Sequence, residues 1–65
     1  MITVNGDKVE WQQGMTVRGV LQACNYRFPL LIVTVDERLV QRQEYDSTAV
    51  RDGADVRVVH LMSGG

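Results

Sequence analysis

Apolar and polar residues alternate over positions 1–11, which predicts two short strands. Ile2 and Val4 fall on one face of the first strand, and Val9 and Trp11 on one face of the second. Asn5-Gly6 separates them, and both central residues of a type I′ turn need a positive φ. The segment therefore predicts a β-hairpin.

The period changes in the next segment, "QQGMTVRGVLQACNY". Val17, Val20, Leu21 and Cys24 are spaced i, i+3, i+4 and i+7, which is one stripe of a helix. Thr16 is suited to be the N-cap residue. These positions predict one amphipathic helix.

Strand-like patterns return after "RFP", which we read as a loop. The run "LLIVTVDERLV" is rich in β-branched residues and predicts a strand, a tight turn at Asp36-Glu37 and a return strand. A loop follows, with a short helical turn around Gln43–Asp46. Asp52-Gly53 predicts another turn before the last strand, "DVRVVHL".

This element order predicts an α+β fold in which a mixed sheet of about five strands carries one main helix on one face. By analogy with the ubiquitin-like β-grasp fold, the first and last strands pair in parallel in the middle of the sheet, and the helix supplies the crossover. We expect one domain over residues 1–65, with 62–65 as a flexible tail.

Composition narrows the classes of function. The chain has 65 residues, 45% of them hydrophobic, and a net charge of −1. The mixed charges argue against nucleic-acid binding, which usually needs a basic patch. One cysteine excludes an internal disulfide and a four-thiolate metal site. No segment is apolar for long enough to span a membrane, and no signal peptide is recognisable, so we expect a cytoplasmic protein.

The last strand carries apolar residues on both faces. Period 2 places Val56 and Val58 on the face toward the helix, and Val59 and Leu61 on the other, with Met62 beyond. Apolar side chains on an uncovered face often mark a protein–protein contact. We therefore expect Val59, Leu61 and Met62 to bind a partner; the alternative is that Leu61 folds back onto the sheet edge.

The other chemically notable residues have simpler interpretations. Cys24 lies on the apolar stripe, so we interpret it as a buried structural thiol. His60 has no nucleophile or metal ligand nearby in sequence and is expected to pack on its strand. The charged turn Asp36–Arg38 is interpreted as solvated, and Trp11 and Tyr45 as packing residues.

Several short motifs resemble the ThiS-type sulfur carriers of thiamine biosynthesis. The resemblance is carried by "VNG" in the first turn, by "GMTV" before the helix, and by these later segments: Val35 to Arg42, Glu44-Tyr45, Asp52-Gly53-Ala54, and Val56 to the terminal Ser63-Gly64-Gly65. The longer MoaD-type subunits of molybdopterin synthase are also similar.

That resemblance implies a carrier that is not itself an enzyme and binds no cofactor. A ThiF-like adenylating enzyme would consume ATP to activate the carboxylate of Gly65. A cysteine desulfurase or other persulfide donor would then supply the sulfur of a thiocarboxylate. A ThiG-like thiazole synthase would accept that sulfur, and Ser63 and Gly64 would thread into the partners' active sites.

The sequence departs from the family pattern in four places: Asp36-Glu37 for Asn-Gly, Gln41 for Pro, Ala54 for Asp, and Ser63 for Gly or Ala. None of them alters the terminal pair. They leave open a MoaD-like carrier for molybdopterin or another thio-metabolite. A ubiquitin-like modifier joined to lysines through Gly65, and a β-grasp binding module with an incidental tail, also fit the sequence.

Overall fold

A computed structural model describes residues 1–26 and 31–60. Its helices and strands, in chain order, are β1 (Ile2–Val4), β2 (Asp7–Val9), α1 (Val17–Ala23), β3 (Leu31–Val35), β4 (Arg38–Val40), a 3-10 turn (Arg42–Glu44) and β5 (Asp55–His60). The predicted element order is confirmed. The short helical turn begins one residue earlier than predicted and ends two residues earlier.

The strands form one mixed sheet in the order β2-β1-β5-β3-β4. β1 and β5 are parallel, with Val4 opposite Val56, and the other neighbouring strands are antiparallel. The predicted parallel pairing of the first and last strands is therefore confirmed. It places β5 at the centre of the sheet, between β1 and β3.

Two hairpins flank the central strand, and each turns through two residues with positive φ. Asn5 and Gly6 have φ of 52° and 87°, as predicted for a type I′ turn. Asp36 and Glu37 adopt 50° and 70°, so the second turn has the same hand without a glycine. Val35 pairs with Arg38 directly across this turn, so the loop of the second hairpin has two residues.

The interpretation of Asp36 as merely solvated is wrong. Its carboxylate accepts a hydrogen bond from the Asp55 backbone N–H at 3.0 Å and pairs with Arg51 at 3.1 Å. Its own N–H donates to the Asp55 carbonyl at 2.8 Å. These contacts tie the second turn to the start of β5. The hydrogen bond from Asp55 N–H, reinforced by the Arg51 charge, lowers the pKa of Asp36.

One face of the sheet and helix α1 share the core. Thr16 caps the helix as predicted, because its hydroxyl accepts from the Gly19 N–H. The fully buried side chains contributed by both layers are Ile2, Val17, Val20, Val33 and Val56. Tyr45 is buried as expected, and half-buried Trp11 donates from Nε1 to the Val50 carbonyl at 2.7 Å.

Candidate functional site

The central strand alternates between a buried face and an open one. Val56 and Val58 are 0% and 5% exposed, whereas Val59 between Val58 and His60 is 53% exposed. Arg57 is exposed as well. The predicted register of the last strand is therefore confirmed over its described length. β5 carries core side chains toward the helix and presents the others on the open face of the sheet.

Three apolar side chains gather on that open face. Ile32 lies directly opposite Val59 across the antiparallel β3–β5 pair. Leu39 pairs with Thr34, which makes it a diagonal neighbour of Ile32. Ile32 and Leu39 are 39% and 63% exposed. We call Ile32, Leu39 and Val59 the open-face patch.

The same face becomes polar toward the start of β5. Asp55 accepts a hydrogen bond from the Thr3 hydroxyl at 2.9 Å and pairs with Arg57 Nε at 3.3 Å. Because both members of the ion pair are substantially exposed, it contributes little to stability. The open face thus has a polar end at Thr3 and Asp55 and an apolar end near the point where β5 leads into residues 61–65.

The predicted site residues divide into two groups. Val59 lies on the open face, as expected. The others lie outside the described residues: Leu61, Met62, Ser63, Gly64 and Gly65. The sequence reading missed Ile32 and Leu39 as companions of Val59. Ile32 could have been assigned to the open face, because it lies between inward-facing Leu31 and Val33 in a strand of period 2. Its pairing with Val59 could not have been predicted, because it depends on the strand register.

Cys24 and His60 keep structural interpretations. Cys24 is half-buried rather than fully buried, at the C-terminal cap of α1, and packs against the core. Burial, with a smaller effect from the Asp7 charge, raises the pKa of the thiol. Less thiolate at neutral pH makes Cys24 a poorer nucleophile. His60 contacts Tyr26 edge to face, with ring centroids 5.5 Å apart.

Neither a metal-binding cluster nor a membrane-spanning helix occurs in the part of the chain that the structure describes. Within residues 1–26 and 31–60, no group of three or more histidine, cysteine, aspartate or glutamate side chains is placed to hold a metal ion. No helix in those ranges is long and apolar enough to cross a membrane.

The sheet order, the parallel central pair and the single crossover helix define a ubiquitin-like β-grasp domain. The family model of the ThiS family matches residues 2–65. The chain therefore belongs to the ThiS family. The match includes both glycines at the end of the sequence.

Two solved structures from Geobacter metallireducens are similar to this chain. The crystal structure of the thiamine biosynthesis protein ThiS is 28% identical, with a TM-score of 0.79, and the alignment covers 98% of this chain and 97% of that one. The solution structure of a thiamine biosynthesis protein is also 28% identical, with a TM-score of 0.77 and coverage of 98% and 86%. The likeness spans the whole domain and not a shared hairpin.

Proposed function

We propose that this protein is a sulfur carrier of thiamine biosynthesis, with the carboxylate of Gly65 as the carrying group. The observation that carries the proposal is the family match, which runs through Gly65. The fold supports it, because β5 is the central strand and its last described residue, His60, comes directly before residues 61–65. A segment attached there would follow a strand that is paired with a neighbour on each side, β1 and β3.

The proposed chemistry begins with activation of a poor electrophile. A Gly65 carboxylate oxygen attacks the α-phosphorus of ATP on a separate adenylating enzyme, and pyrophosphate leaves. The acyl-adenylate that results has AMP as a good leaving group. The terminal sulfur of a persulfide then attacks the carbonyl carbon and displaces AMP, which divides one hard substitution into easier steps. A thiol then attacks the donor's sulfur, forms a new disulfide with it, and releases a thiocarboxylate on Gly65.

The glycines suit this chemistry for a steric reason. Residues without a Cβ can enter a narrow channel and adopt a positive φ at no steric cost. In this role the chain is a co-substrate: the nucleotide, the persulfide and the catalytic groups belong to its partners. The sulfur would pass to thiazole formation, in the cytoplasm where ATP is supplied.

The open-face patch is the proposed docking surface for the adenylating enzyme. Its three side chains are apolar and exposed, and Val59 comes directly before His60, the last described residue of β5. A partner that covers Ile32, Leu39 and Val59 with apolar side chains removes their surface from water, worth about 25 cal/mol per Å² before the costs of association. Leu61 and Met62, predicted to bind the partner, follow the patch in sequence.

The experiment that tests the proposal is adenylation by a ThiF-like enzyme, read as pyrophosphate released per mole of carrier. The full chain should support release, and a chain lacking Gly64 and Gly65 should not. The deletion should leave the melting temperature nearly unchanged, because terminal glycines carry no side chain that could pack in a core. Pyrophosphate release by the shortened chain at the full rate would contradict the proposal. Stable conjugates to lysines in place of thiocarboxylate would favour a protein modifier.

A further inference from the structure

The central strand extends beyond the end of its parallel neighbour. The Val56 carbonyl accepts from the Asn5 backbone N–H at 2.9 Å, so the polar groups of Val56 face β1. Two residues further along β5, those of Val58 face the same side. β1, however, ends at Val4, and the chain turns away through Asn5-Gly6. Val58 would therefore lack a backbone partner on that side.

The side chain of Asn5 takes the place of the missing strand residue. Its Oδ1 accepts from the Val58 N–H at 2.8 Å, and its Nδ2 donates to the Val58 carbonyl at 3.0 Å. One carboxamide thus satisfies the donor and the acceptor of one residue, as a backbone peptide would. This pair of contacts, which we call the Asn5 clamp, lengthens the parallel ladder by one step.

A second contact supports the clamp from the other side. Asn5 Nδ2 also lies 3.0 Å from the Tyr26 hydroxyl, and the Tyr26 ring meets His60 edge to face. Tyr26 is itself held by its N–H, which donates to the Leu21 carbonyl at 2.9 Å. The last described residues of β5 are thus connected to the β1–β2 turn and to the end of α1.

From this geometry we infer that Asn5 is a positioning residue for sulfur loading. The inference rests on the proposed function. Gly65 follows His60 by five residues, which span at most about 18 Å when extended. When the open-face patch is docked, the clamp fixes the point and the direction from which that short segment starts. Misplacement by about 1 Å of a reacting group can cost much of a reaction's rate.

The variant Asn5→Gly removes the clamp and keeps the turn, because glycine adopts the φ of 52° without strain. Glu37→Gly is the matched control: it makes the same kind of change, at φ 70°, in the other hairpin. Hydrogen exchange measured by NMR should show the Val58 amide exchanging about five- to tenfold faster in Asn5→Gly than in the unaltered chain. The Val33 amide is the internal reference. The exchange rate of the Val58 amide should be unchanged in Glu37→Gly. Unchanged exchange in Asn5→Gly would overturn the clamp.

Kinetics of adenylation then separate positioning from docking and from stability. At a temperature where every variant is folded, Asn5→Gly should lower kcat for pyrophosphate release about three- to tenfold and leave KM for the carrier unchanged. Glu37→Gly should change neither constant. An unchanged kcat, or a raised KM alone, would overturn the positioning role. If the unaltered chain is not adenylated at all, the proposed function fails, and the positioning role fails with it. The exchange experiment would still show whether the Asn5 clamp exists.

Discussion

The two faces of β5 place the same amino acid in opposite surroundings. Val58 is 5% exposed in the core, and Val59, the next residue, is 53% exposed on the open face. A hydrophobic scale cannot distinguish them, because the difference comes from strand alternation and from helix α1, which packs against one face of the sheet. The comparison indicates that Val58 contributes to the stability of the fold, whereas Val59 is available to a partner.

The largest expected effect is on the buried side of this comparison. Val58→Asp places a carboxylate in a core where, among the described residues, no buried side chain is charged, which should cost about 4 kcal/mol or more. A domain of this size has a total stability of about 3–10 kcal/mol. Circular dichroism should show the variant largely unfolded at 25 °C, while Val58→Ile should remain folded. A Val58→Asp chain as stable as the unaltered chain would contradict the assignment of the two faces.

The same change one residue later should affect binding and not folding. Val59→Asp should shift the free energy of unfolding by no more than about 0.5 kcal/mol, because the side chain is exposed. It should weaken binding to the adenylating enzyme at least tenfold, about 1.4 kcal/mol, because a charge would face a desolvated apolar contact. Titration calorimetry measures the affinity.

Gln13→Asp is the control for that charge, since Gln13 is exposed in the segment between β2 and α1. It should leave affinity unchanged. Equal weakening by both variants would indicate a general charge effect and would remove the open-face patch as the docking surface.

A smaller effect should come from the charged contact that joins the second turn to β5. The pKa of Asp36 is lowered in the folded chain, so its contribution to stability is complete above the ordinary carboxyl pKa of 3.8 and is lost as the pH falls through the lower folded value. Asn can keep the positive φ and accept the Asp55 N–H. The stability difference between the unaltered chain and Asp36→Asn should therefore shrink between about pH 6 and about pH 3, as measured by urea denaturation. A difference that grows over that range would contradict this role.

The smallest effect is expected at the polar end of the open face. Arg57→Ala removes an exposed ion pair with Asp55 and should change stability by less than about 1 kcal/mol. The melting temperature should move by only a few degrees. A loss as large as that of Val58→Asp would mean that the open face also holds the fold together.

The sequence predicted most of the fold because its signals were local. Asn5-Gly6 specified a turn, Thr16 specified a helix start, and period 2 gave the two faces of β5, all of which the structure confirms. The parallel β1–β5 pairing came from analogy, since nothing in a local pattern identifies the neighbour of a strand.

What the sequence did not predict depends on contacts between distant residues. Asp36 appeared to be an ordinary turn residue, yet it binds Asp55 and Arg51, nineteen and fifteen positions away. Ile32 and Val59 became one patch only once the register paired them. Asn5 was predicted only as a turn residue with a positive φ. Its side-chain contacts with Val58 could be seen only in the three-dimensional fold.

The most direct test of the central claim is the mass of the intact chain after incubation with a ThiF-like enzyme, ATP, a persulfide donor and a thiol. The account predicts the mass increase for replacement of one oxygen by one sulfur, located by fragmentation at Gly65 and absent without ATP. An unchanged mass with an adenylating enzyme that demonstrably binds the chain, or a modification located at Cys24, would contradict the claim that Gly65 carries the sulfur.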